Sequence, residues 1–178
     1  MESAQYQTYY GIHLNDHTEI WGGNNYNKIL VKSYPDENLS TTGSTDLTDP
    51  VDFLYPPLIQ NAYSLDGVAE GHITLYNHTG SSATFSDYTV SIKKVAEDGT
   101  VTDLASHTES FATSRTVTAS NYYTLPIFVN ISKQKVKAME KLLLRISVTV
   151  DSGTLSLSHE NDSSTSDIKI KIPYARTG

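Results

Sequence analysis

The chain has 178 residues, a net charge of −7, one tryptophan and no cysteine. Such a length suits one domain that buries roughly 70% of its unfolded surface and needs neither disulfide nor metal to fold. The lack of cysteine excludes zinc ribbons, thiol nucleophiles and disulfide scaffolds. The acidic balance argues against nucleic acid, and no apolar run approaches the roughly 20 residues that cross a bilayer.

Residues 1–25 are polar and aromatic, and Met1–Gln5 has neither the basic start nor the apolar stretch of a secretory signal. Tyr6, Tyr9, Tyr10, Trp21 and Tyr26 lie among Gln, Asn and Gly. Two readings stay open: an extended arm that docks those aromatics on a partner, or a first strand with ordinary loops. Lys28–Tyr34 is a strand candidate with Ile29 and Val31 on one face. Residues 35–57, rich in Pro, Asp, Ser and Thr, read as a long loop. The expected organisation is an irregular segment over 1–57 and a β-sandwich over 58–178, within one globular unit.

Beyond residue 58 the period is two. Ile73 and Leu75 alternate with His72, Thr74 and Tyr76; Tyr88, Val90 and Ile92 alternate with Thr89, Ser91 and Lys93. Asp98-Gly99 signals a tight hairpin of type I′, with Val101–Phe111 returning as its partner strand. Leu125, Ile127, Val129 and Ile131 mark another strand. Between Ser132 and Lys141, Val136 and Met139 fit a short helix. Leu142–Val150 alternates over nine residues, Asp151-Ser152-Gly153 turns the chain, and Leu155 with Leu157 reads as the hairpin partner. Ile168, Ile170, Ile172 and Tyr174 form a last strand, whose lysines and Pro173 are edge features.

Serine and threonine make up about a quarter of the chain, and twelve tyrosines stand against four phenylalanines. Both biases suit a pleated, half-wet surface. Seven to nine short strands with at most one or two short helices predict an all-β, antiparallel, jelly-roll-like sandwich.

Chemistry is sparsely written. The six histidines show no ligand spacing. The loop from His159 to Asp167 offers Glu160, Asp162 and Asp167 as oxygen donors of the kind calcium takes, without EF-hand spacing. No Gly-x-Ser-x-Gly elbow and no Gly-rich phosphate loop occurs. No cofactor is expected, and the residues nominate no catalytic group. Sugar recognition would use exposed aromatic faces, for which Trp21, Tyr76, Tyr122 and Tyr123 are the candidates.

Three stretches carry a resemblance. They are Gly71–Gly80; Tyr88–Val95 with Glu97-Asp98-Gly99-Thr100; and Glu140–Ile146, Gly153–His159 and Lys169–Tyr174 taken together. Over about residues 65 to 175 the chain resembles small β-sandwich virion proteins of tailed viruses of bacteria and archaea. It departs from their pattern after His159, where Glu160-Asn161-Asp162 follows. The resemblance implies a non-enzymatic capsid decoration or auxiliary protein on the particle exterior. It would be present in many copies or as a homo-oligomer, assembled in the host cytoplasm beside a major capsid protein or another virion protein. The alternative is a glycan-binding adhesin module on a tail or head fibre.

Overall fold

The computed structural model describes residues 5–14, 17–33, 43–159 and 167–175. Thirteen strands are present among them: β1 (Gln5–His13), β2 (Glu19–Trp21), β3 (Asn24–Tyr26), β4 (Lys28–Val31), β5 (Ser44–Asp46), β6 (Val51–Leu54), β7 (Tyr63–Tyr76), β8 (Ala83–Val95), β9 (Val101–Val117), β10 (Tyr122–Val136), β11 (Lys141–Ser152), β12 (Ser156–Ser158) and β13 (Lys169–Tyr174). No helix occurs among the described residues. The all-β expectation holds.

Eleven strands share one sheet in the order β5-β12-β7-β13-β1-β4-β6-β11-β8-β9, with β10 on the other side of β7. The sheet is nearly severed in the middle, where β4 meets β6 through one parallel pair, Ile29 with Leu54. There it folds over on itself. Side chains from strands remote in the sheet order meet across the gap: Phe85 of β8 lies edge-on to Tyr123 of β10, with ring centroids 5.4 Å apart. The result is a sandwich. Its interior holds Phe53, Leu65, Ile73, Leu75, Phe85, Ile92, Val129 and Ile146, all 2% exposed or less. Each such side chain contributes about 1.5–3 kcal/mol by leaving water.

The first third is built into this interior. β1 lies between β13 and β4, pairing Gln5 to Tyr10 with Tyr174 to Lys169 and Tyr10 to His13 with Val31 to Lys28. Of the two readings of residues 1–25, the strand is the one present. Tyr9 is 1% exposed and belongs to the core with Leu30 and Phe53, so it is no interface residue.

Other expectations change with tertiary context. The segment from Ser132 stays extended to Val136, because β7 continues opposite it down to Tyr63. A bulge between Ile131 and Gln134 absorbs the irregular pattern. The Asp98-Gly99 turn is not type I′, since only Gly99 has positive φ there. Gly99 N–H donates to the Ala96 carbonyl at 2.9 Å and Ala96 N–H to Thr100 at 2.9 Å, a longer hairpin loop closed by glycine. β12 does not pair with β11 but crosses to β5 and β7. β13 is an inner strand between β1 and β7. It tolerates Pro173 because its ladder with β7 is interrupted between Lys171 and Tyr174, where no N–H is required.

Candidate functional site

β9 and β10 are each paired on one side only, and the chain passes between them through the turn at Thr118–Asn121. Asn77 locks that end. Fully buried, it donates from Nδ2 to the carbonyls of Ser81 at 2.7 Å and Val117 at 2.9 Å, and its N–H donates to the Asn121 carbonyl at 3.0 Å. At the far end, Lys94 of β8 reaches the Lys135 carbonyl and the Glu140 carboxylate, both at 3.1 Å. Between these ties the seam of the sandwich is open as a groove of about 340 Å³.

Sheet register explains the lining. Val90 pairs with His107 and Tyr88 with Glu109, so both polar residues of β9 share the inward side of the buried Val90 and Tyr88. No further strand covers β9, and inward-facing polar residues also guard such an edge against pairing. His107 Nε2 and Glu109 Oε2 lie 3.0 Å apart. The opposite wall is Tyr123 and Leu125, inward residues of β10, and Phe128 stands 58% exposed at the mouth. Tyr88 forms the floor and donates its hydroxyl to the Pro126 carbonyl at 2.8 Å. Phe111 lies 6.2 Å from the Tyr88 ring and nearly parallel to it, and the Arg115 guanidinium sits 4.7 Å from the Phe111 centroid. Burial, then the charge of Glu109, then Tyr123 push the Tyr88 phenol above its ordinary range. Ring faces beside a carboxylate and an imidazole make a binding surface.

A second, more polar cleft of about 510 Å³ lies beside β3, β4 and β6. Arg145 grips Asp52 there through Nε–Oδ1 at 2.7 Å and Nη2–Oδ2 at 2.9 Å. Thr45, on its wall, shares a 2.8 Å hydrogen bond with His159 Nε2. His159 is 2% exposed, and its Nδ1 has no hydrogen-bond partner among the described residues. Burial, reinforced by His13 and Lys28, holds His159 down to about 3. Burial therefore favours the neutral form of this imidazole.

The expected site residues are scattered. Tyr6 is 45% exposed, with Lys171 Nζ 4.6 Å from its ring; Tyr10 is half-buried. Trp21 and Tyr26 pack against Leu54, Val95 and Leu143. Trp21 donates to the Val95 carbonyl at 2.8 Å and carries Lys141 Nζ 4.2 Å from its ring. Its indole face is therefore not open for a sugar. Tyr76 and Tyr122 stack on each other at 4.4 Å. Of the four glycan candidates only Tyr123 lines the groove. Glu160 and Asp162 lie outside the described residues, and Asp167 accepts a hydrogen bond from Ser158. Among the described residues no three acidic or histidine side chains are grouped to hold a metal ion. Sequence reasoning missed Tyr88, His107, Glu109, Phe111 and Phe128. The available signal was His107 and Glu109 at alternate positions where a buried strand face would be apolar.

No family model and no curated protein matches this sequence. The fold is found in solved structures. Two crystal structures of a CocE/NonD family hydrolase from Staphylococcus aureus align with TM-score 0.66 at 14% identity, over 98% and 99% of this chain and 37% of theirs. An aminopeptidase from a marine sediment Thaumarchaeota archaeon aligns with TM-score 0.57 at 10% identity, over 96% of this chain and 37% of that one. This chain thus spans little more than a third of the chains it matches. The expectation of a non-enzyme is corrected on this point. A sandwich of this fold occurs inside hydrolase chains, so the lack of a nucleophile motif in it does not exclude an enzymatic context.

Proposed function

We propose that this chain is a carbohydrate-binding β-sandwich module of a hydrolase. The open seam between β9 and β10 carries the reading. Tyr123 and Phe128 offer ring faces on which sugar C–H groups stack, and His107 and Glu109 stand within the same groove to bond hydroxyls. Its volume of about 340 Å³ is at the small end of ligand pockets, which run from about 300 to 1,000 Å³, and suits a short saccharide. The likeness to one part of larger hydrolases supports a module that holds substrate for chemistry performed elsewhere. The same groove would meet host glycans if the chain is carried on a virion fibre, as the sequence resemblance implies.

A printed glycan panel probed with the full chain tests this, followed by calorimetry on the best binder. Tyr123→Ala and Phe128→Ala each weaken binding by about tenfold or more, since base–aromatic and comparable stacking contacts are worth about 1–3 kcal/mol. Circular dichroism confirms that Phe128→Ala, at an exposed position, keeps the fold. Absence of binding across the panel, or binding indifferent to both substitutions, overturns the proposal.

A further inference from the structure

We infer that the groove between β9 and β10 prefers an amino sugar, with Glu109 as the partner of its ammonium group; this rests on the carbohydrate reading above. Among the described residues that line the groove, Glu109 is the one carboxylate and none is a lysine or arginine. Its only charged or titratable neighbour within the lining, apart from the Tyr88 and Tyr123 phenols, is His107 at 3.0 Å. Ring faces surround the same space, and ring faces attract cations through their negative quadrupole. The protein already shows this preference: Arg115, from the end of β9, rests its guanidinium on the Phe111 ring. The Phe111 ring is already taken by Arg115, so a ligand ammonium that bonds Glu109 would lie beside the Tyr88 and Tyr123 rings. The chain's net charge of −7 adds a long-range field that favours a cationic ligand over an acidic one.

The geometry also says what an acidic sugar would meet. A uronate or sialate carboxylate placed in the groove faces Glu109, and among the described residues the cation nearest the lining, Arg115, is engaged on the Phe111 ring. A neutral sugar stacks on the rings but leaves the carboxylate with only His107. The amine is the substituent that uses both features at once.

Three tetrasaccharides of one backbone isolate this substituent: chitosan tetraose carries an amine at C2, chitin tetraose an acetamide and cellotetraose a hydroxyl. Calorimetry with the full chain at low salt is expected to show chitosan tetraose bound about five- to tenfold more tightly than the other two, in line with one cation–π and one exposed ion-pair contribution. The margin shrinks at high salt, because the contact is partly exposed. Glu109→Gln takes away the ion-pair share and lowers the preference for the amine over the hydroxyl to that of the ring faces alone, about two- to fivefold. Equal affinities in the unaltered chain, or a preference undiminished by Glu109→Gln, overturn the amino-sugar inference and leave carbohydrate binding standing. If none of the three binds while the glycan panel finds another sugar, the amino-sugar inference fails alone. If the whole panel is silent, both fail.

Discussion

His159 stacks on His13, with ring centroids 5.2 Å apart and planes inclined by 19°. The two rings come from opposite ends of the chain, and Lys28 lies close enough to depress both. Burial is the larger cause in each case, and it favours the neutral rings.

The pH dependence follows from the sign. An unfolded histidine takes its proton near the ordinary value of 6.5, whereas folded His159 does so only near 3. Below 6.5 the unfolded state therefore binds more protons, and stability present above that pH is lost progressively down to about 3. One such group contributes at most about 1.4 kcal/mol per pH unit in that window. Thermal unfolding of His159→Gln should be flatter between pH 6.5 and 4 than that of the unaltered chain. Parallel curves would count against a buried neutral imidazole.

Gly22 and Gly99 test a close approach. Gly22 has φ +58°, and a Cβ added there would stand 2.5 Å from the Gly99 Cα. The turn between β2 and β3 and the turn between β8 and β9 meet backbone to backbone. Gly23 has φ +78° with open space around it. Gly23→Ala is expected to destabilise by about 1–2 kcal/mol, the left-handed penalty alone. Gly22→Ala should exceed it clearly, because backbone must also move. Urea unfolding of the two variants gives the order, and equal losses would refute the contact.

Asp52 and Arg145 tie β6 to β11 beside the cross-strand pairing of the same two residues. Both side chains are partly exposed, at 26% and 34%, so water screens the pair. A double-mutant cycle with Asp52→Asn and Arg145→Gln should give a coupling of about 1 kcal/mol, toward the upper end for exposed pairs because of the bidentate geometry. Coupling indistinguishable from zero would mean that the pair holds no load between the strands.

A chain beginning at residue 58 should not fold cooperatively. It lacks β1, β4 and β6, which link the two halves of the sheet, and it lacks Tyr9, Leu30, Phe53 and Leu54 from the interior. Each loss of that kind is worth about 2–5 kcal/mol, and four of them are comparable to the whole 5–15 kcal/mol of a typical domain. A sharp thermal transition in the truncated chain would show that the sandwich closes without them.

Local alternation was legible. Leu142 to Val150, Tyr88 to Ile92 and Ile170 to Tyr174 all lie in strands where period two put them, because a half-buried strand must alternate whatever its neighbours are. Strand neighbours were not legible. Lys169, Lys171 and Pro173 look like an edge, yet β13 lies inside the sheet: the two lysines still meet solvent on its outer face, and Pro173 is buried where the ladder with β7 is interrupted. Residues 5–13 look irregular because Tyr9, Gly11 and His13 are a mixed set, and only pairing on both sides makes them a central strand.

The all-β class was thus determined by the sequence itself, through periodicity that depends on each strand alone. The groove was decided by the tertiary structure. His107 and Glu109 on β9 and Tyr123 on β10 come together because the sheet folds over at the single β4–β6 pair and brings the free edges of β9 and β10 face to face. That closure depends on which strands pair, and pairing between distant segments leaves no local pattern to read.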